Sequence, residues 1–127
     1  TMDIAEVKAL WKQYPGALIG IPTGAASGID ILDVDPRHSG EESLAELIAK
    51  HGPMPATVEC LTGGGGHHYY FRHRDGVHNT EGNLPGIDTR GEGGYFIAPP
   101  SRHGETGKRY VFELSSHPNE VEIAEWR

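Results

Sequence analysis

At 127 residues and a formal net charge of −7, the chain is long enough for one domain with an ordinary core, and it lacks the basic surplus of a bulk nucleic-acid binder. The single Cys60 excludes an internal disulfide and any multi-cysteine zinc site, and it fits a cytoplasmic location. No run of 18 apolar residues and no signal peptide is present, so no membrane association is expected.

The acidity is uneven. Residues 66–112 hold six Lys/Arg against five Asp/Glu, together with several histidines, and only this segment is not net acidic. In chain order, Asp3 with Glu6 three residues later forms a capping-box signature for a first helix. Ile4, Val7, Leu10, Trp11 and Tyr14 follow at helical spacing and are expected in the core, and Pro15-Gly16 stops the helix. The chain begins at Thr1 and enters this helix almost at once, as expected of a domain trimmed of upstream residues. Ala17–Ile21 predicts a short buried strand. Pro22–Gly28 is a loop of small residues whose backbone N–H groups can face an anion, which makes Thr23 and Gly24 candidate nucleotide contacts.

Gly28 to Pro36 is the organising stretch. β-branched residues and period-two alternation predict a strand with Asp33 and Asp35 on one face, after Ile29 and Ile31. Two carboxylates two residues apart can converge on one divalent cation or a pair of them. The competing reading is a solvated strand end that caps the turn at Pro36. A second helix runs to His51, with Ser39 and Glu42 as a further capping signature and Gly52-Pro53 at its end.

Thr57–Thr62 predicts a third strand, followed by the Gly63–Gly66 loop and the aromatic run His67–His73. The four glycines are no P-loop, because no Gly-Lys-Ser/Thr opens a helix after them. Alternation places His67, Tyr69, Phe71 and His73 on one face and His68, Tyr70 and Arg72 on the other. Residues 74–85 read as a polar loop. Gly86–Arg90 and Tyr95–Ala98 read as strands around a Gly91–Gly94 turn, and Lys108–Glu113 as a last strand. Pro118–Arg127 fits helix or strand. His38, His51, His103 and His117 are expected to be solvent-exposed.

Asp33, Asp35, Asp88 and His68 form a set suited to metal-assisted phosphoryl or nucleotidyl transfer. Hard cations prefer carboxylate oxygen. Histidine, or Arg90 in bidentate form, can hydrogen-bond a phosphate. Four blocks, Ile19–Gly24 with Ser27-Gly28, Ile31–Pro36, Thr62–Phe71, and Gly86–Gly91 through Ala98–Ser101, together resemble the bifunctional DNA primase/polymerase (prim-pol) domain of the archaeo-eukaryotic primase superfamily, found in plasmid, phage and prophage replication proteins. The resemblance spans about Asp3 to Phe112. It implies that residues 1–127 are one N-terminally truncated catalytic domain, a DNA primase/polymerase. Asp33, Asp35 and Asp88 would hold Mg²⁺ or Mn²⁺, and His68 would contact the phosphates of the incoming nucleotide. The implied partners are nucleoside triphosphates, a DNA template and primer, and a helicase, fused or separate. The expected fold is α+β (α/β), a mixed sheet with both helices packed on it. Two alternatives share these residues: a metal-dependent phosphoesterase or nuclease, and a non-catalytic nucleotide- or DNA-binding module of a replication protein.

Overall fold

The computed structural model describes residues 2–126, the side chains of residues 82 and 83 excepted. Thr1, and Arg127 at the end of the stretch left open between helix and strand, lie outside the described residues. The elements are α1 (Ile4–Gln13), β1 (Gly20–Pro22), β2 (Ile29–Val34), α2 (Gly40–His51), β3 (Glu59–Leu61), β4 (His67–Arg72), β5 (Thr80–Leu84), β6 (Ile87–Arg90), β7 (Tyr95–Ile97) and β8 (Val111–Phe112), with short 3₁₀ turns at Pro36–His38 and Leu114–Ser116. The class is α+β. A six-stranded sheet runs in the order β5-β6-β2-β4-β3-β8, and β1 pairs with β7 in a separate ribbon.

All named strand pairs are antiparallel. The parallel contacts are the isolated bridges Phe71–Ala124 and His78–Glu92, so the sheet is less mixed than expected. β2 is central because its Ile-Asp-Ile-Leu-Asp-Val alternation gives it two apolar faces. Ile31 joins Val58, Cys60, Tyr70, Phe96 and Ala98 in one core, under the β1–β7 ribbon. Leu32 and Val34 join Phe71 and Ile87 in the other, with Leu44 of α2 and Trp126 packed against them.

Four expectations are corrected. Asp3 caps α1 as expected, its Oδ1 accepting from the Ala5 and Glu6 amides at 2.9 and 3.2 Å. The helix nevertheless buries none of its residues, and Ile4 is 71% exposed, so only α2 packs on the sheet. Ser39 makes no side-chain cap; it sits in the left-handed region (φ 66°) at the junction of the 3₁₀ turn and α2. Residues 74–85 include the edge strand β5, which returns through Pro85-Gly86 and pairs with β6 despite its polar sequence. The predicted strand over 17–21 is displaced to Gly20–Pro22 and is half-exposed rather than buried.

Candidate active site

The register of the large sheet places five residues side by side on one face. Cys60 pairs with Phe112 and with His68. Asp33 pairs with His68 on one flank and with Asp88 on the other. The row therefore runs Phe112, Cys60, His68, Asp33, Asp88, apolar at the β8 edge and acidic toward β6. Directly opposed side chains across antiparallel strands stand about 4.5–5.5 Å apart at Cβ. Two carboxylates so placed repel each other unless a cation lies between them. Arg90, two residues along β6 on the same face, supplies that charge: its guanidinium is 3.9 Å from Asp33 Oδ2 and 3.7 Å from Asp88 Oδ2.

His68 Nε2 lies 3.6 Å from Asp33 Oδ1. The imidazole is nearly enclosed, edge-on to Phe96 and tilted against Tyr110. Its Nδ1 is buried and has no hydrogen-bond partner, a condition that a bound group or water relieves. His67 points to the opposite face, where its Nδ1 is 2.8 Å from Glu59 Oε2.

Two cavities open on either side of Asp33. One, about 230 Å³, is lined by Asp33, His68, Arg90, Tyr95, Phe96, Ile97 and Tyr110. The other, about 130 Å³, is lined by Asp33, Asp35, Arg37, His68, His103, Tyr110 and the glycine loop. Each is smaller than the roughly 300–1,000 Å³ of a ligand pocket, but together they enter that range. Asp33, His68 and Tyr110 are common to both, so the two cavities are halves of one site. Burial first, then the neighbouring Cys60 and Asp33, push the Tyr110 hydroxyl up, so it stays a neutral donor at neutral pH.

The remaining candidates sit differently. β2 ends at Val34, and Asp35 turns to cap the 3₁₀ turn, accepting from the Arg37 amide at 2.9 Å. Its carboxylate also contacts the Arg37 guanidinium at 3.3 Å and His38 Nδ1 at 2.9 Å. Burial alone would raise the Asp35 carboxyl; the hydrogen bonds from His38 and Arg37 outweigh it and hold the group below its usual value. Asp35 therefore borders the second cavity with its oxygens already engaged, and it also fills the capping role.

Thr23 and Gly24 are not brought to the cluster. Thr23 is buried, donates its hydroxyl to Gly91 O, and donates its amide to Gly94 O at 2.9 Å. Gly24 has φ +84°, and a Cβ there would lie 2.8 Å from Glu92 Cα, so a side chain is excluded by the turn it packs against. Both residues tie the lead-in loop to the β6–β7 turn.

His103 was expected in solvent but is half-buried, with its ring stacked on Tyr110 at 6.3 Å between centroids. The missed acid is Asp30, fully buried on the other face of β2. It accepts from His73 Nδ1 and Trp126 Nε1, both at 2.8 Å, and from the Arg74 amide at 3.1 Å.

The donor set fits a hard divalent cation: Asp33 and Asp88 are paired carboxylates, and Asp35 follows one residue past the end of β2. The side chains are not gathered into a finished cage, and among the described residues no group of three or more His, Cys, Asp or Glu is placed to hold a metal ion. Also among the described residues, no helix is long and apolar enough to cross a membrane.

Comparison with curated proteins finds no match. Residues 1–126 match the family model described as bifunctional DNA primase/polymerase, N-terminal. The chain belongs to this Prim-Pol family, whose role is primase/polymerase-type nucleotidyl transfer in replication.

Proposed function

We propose that this chain is a metal-dependent DNA primase/polymerase, acting in plasmid, phage or prophage replication and joining nucleotides on a DNA template. The observation that carries the reading is the in-register row His68–Asp33–Asp88 across β4, β2 and β6, bordered by a bipartite cavity. Asp33 and Asp88, with Asp35 beside them, would hold Mg²⁺ or Mn²⁺. When bound, such ions neutralise the triphosphate and acidify the attacking 3′-hydroxyl.

The chain's own groups perform the rest. The larger cavity, walled by Tyr95, Phe96 and Ile97, takes the nucleoside. His68 lines both halves, where it would contact a phosphate of the nucleotide, and one of its ring nitrogens has no hydrogen-bond partner. Arg90 is a guanidinium that can leave the carboxylates for a phosphate oxygen, exchanging one charge-assisted contact for another. Phosphoryl and nucleotidyl transfers depend mainly on such positioning and charge stabilisation. The overall acidity predicts few neutralised backbone phosphates, hence weak DNA binding with a shallow salt dependence.

The test is primer extension on a primed DNA template with Mg²⁺ or Mn²⁺, comparing wild type with Asp33→Ala/Asp35→Ala. Extension by the wild type and its loss in the variant are expected. Extension that survives loss of both aspartates would overturn the mechanism. Release of single nucleotides from the primer, in place of extension, would favour a nuclease.

A further inference from the structure

Residues 102–109 form a hairpin just ahead of β8: Arg102 bridges to Arg109, and the His103 amide donates to Lys108 O at 2.8 Å. Thr106 Oγ1 donates to Gly63 O at 2.7 Å, which clamps the hairpin onto the glycine loop. The clamp needs glycine, because a Cβ at Gly63 would lie 2.4 Å from the Cβ of His103. Alternation gives the hairpin two faces. His103 and Tyr110 line the smaller cavity on the inner face. Arg102 and Arg109, each one residue before them, take the outer face, and both are exposed.

That outer face is basic in a chain of net charge −7. Between residues 98 and 112 the cations Arg102, Lys108 and Arg109 stand against Glu105 alone. Arg37, Arg72 and Arg90 each lie against a carboxylate. Among the described residues Arg102 and Arg109 pair with none. Backbone carbonyls hold them instead: Arg102 Nη1 donates to Gly107 O at 3.1 Å, and Arg109 Nη1 to Pro100 O at 2.9 Å.

Like charges directly opposed across a strand pair are destabilising. Here the two heads diverge along the hairpin. Gly107 lies two residues from Arg109 toward the tip, and Pro100 two residues from Arg102 toward the base. The two carbonyls are therefore roughly 13 Å apart at about 3.3 Å per residue. One phosphate cannot bridge that distance, whereas a chain of phosphates can meet both heads. Each carbonyl takes one N–H and leaves the rest of the guanidinium fork for an anion. A β-ribbon can enter the major groove of a duplex, but this one has its inner face docked on the glycine loop. A single flexible strand can follow the one face that remains.

We propose that the outer face of the 102–109 hairpin holds the backbone of the single-stranded DNA template, with Arg102 and Arg109 on separate phosphates and Lys108 beside them. This assignment rests on the nucleotide-transfer reading above and adds the surface that carries the template. It gathers on one hairpin the few backbone contacts that an acidic chain can make.

The experiment measures binding of a fluorescent single-stranded deoxyoligonucleotide by anisotropy over a series of KCl concentrations, with the matching duplex in parallel. It compares the wild type with Arg102→Gln/Arg109→Gln and with Lys8→Gln/Lys12→Gln, which removes the same charge from α1. Thermal melting checks the folds. One phosphate per cation gives the wild type a slope of log K against log salt of about −2, at about −0.7 per phosphate. The hairpin variant is expected to keep about −0.7 of it and to bind at least roughly tenfold more weakly at low salt, having lost two charge-assisted contacts. The α1 variant is expected to match the wild type. Equal losses in the two variants, unchanged slopes in both, tighter binding of the duplex, or a wild type that does not bind the single strand would each overturn the proposal. Primer extension that depends on Asp33 would then leave the transfer reading standing. A slope lost in the hairpin variant alone, in a protein that extends no primer, would retain the strand contact and remove the transfer reading.

Discussion

Replacing Asp30 with alanine removes the acceptor of three hydrogen bonds at one fully buried carboxylate. The Arg74 amide and the Trp126 indole N–H, each in a part-buried hydrogen bond, lose their partner; a fully buried donor left unsatisfied costs about 1–3 kcal/mol, so these two fall in the lower part of that range. Taking the lower part of that range for both gives about 3 kcal/mol. Unfolding entropy near 2.1 cal/mol/K per residue makes about 0.27 kcal/mol/K for a chain of this length, so the melting temperature should fall by roughly 11 °C.

The loss should depend on pH. The hydrogen bond to Asp30 raises the His73 pKa against the opposing effect of burial, and the charges of Asp30, Glu92 and Asp75 add to the rise. A group whose folded pKa is raised contributes stability that is complete below its unfolded value, about 6.5 for histidine, and fades as pH rises through the folded value. The gap between wild type and Asp30→Ala, read by circular-dichroism melting, should therefore be wider at pH 5.5 than at pH 8.5. A gap below about 4 °C, or one equal at the two pH values, would refute the reasoning.

Arg90→Ala should raise the affinity for Mn²⁺ in the absence of nucleotide several-fold, because the resident cation between Asp33 and Asp88 is gone, and should weaken triphosphate binding; electron paramagnetic resonance of free Mn²⁺ reads the first effect. His68→Ala should weaken nucleotide binding by about tenfold or more while His67→Ala does not, and a reversed order would mean that the assumed side-chain facing is wrong. Cys60 is buried, and burial together with the Glu59 charge pushes its thiol up to about 12, so iodoacetamide at pH 8 should label it only after unfolding.

The strands that carry the acidic row were legible because their signal is local. In Ile29–Val34 and His67–Arg72 the period-two alternation decides which side chains share a face, and the pairing then sets Asp33 beside His68 and Asp88. What was not legible depended on contacts distant in sequence or on how a single turn closes. Asp33 and Asp35 looked equivalent, yet the strand ends one residue before Asp35, and a 3₁₀ turn takes its carboxylate. Thr23 looked like an anion contact, but its hydroxyl is used by Gly91, 68 residues away. His103 looked like a loop histidine, and only the docking of its hairpin on Gly63 encloses it. β5 has almost no apolar alternation and is a strand because β6 lies beside it. Asp30 broke an apolar face in plain view; its partners His73 and Trp126 are 43 and 96 residues away, too far for spacing to reveal them.

The most direct test of the account is a crystal structure of the protein with Mn²⁺ and a nucleoside triphosphate, with the metal located by its anomalous scattering. The account predicts manganese bound to Asp33 and Asp88 on the His68 face, and Arg90 turned from the carboxylates to the nucleotide. Manganese on the Asp30 face or at surface carboxylates, with the Asp33–Arg90–Asp88 contacts intact, would contradict it.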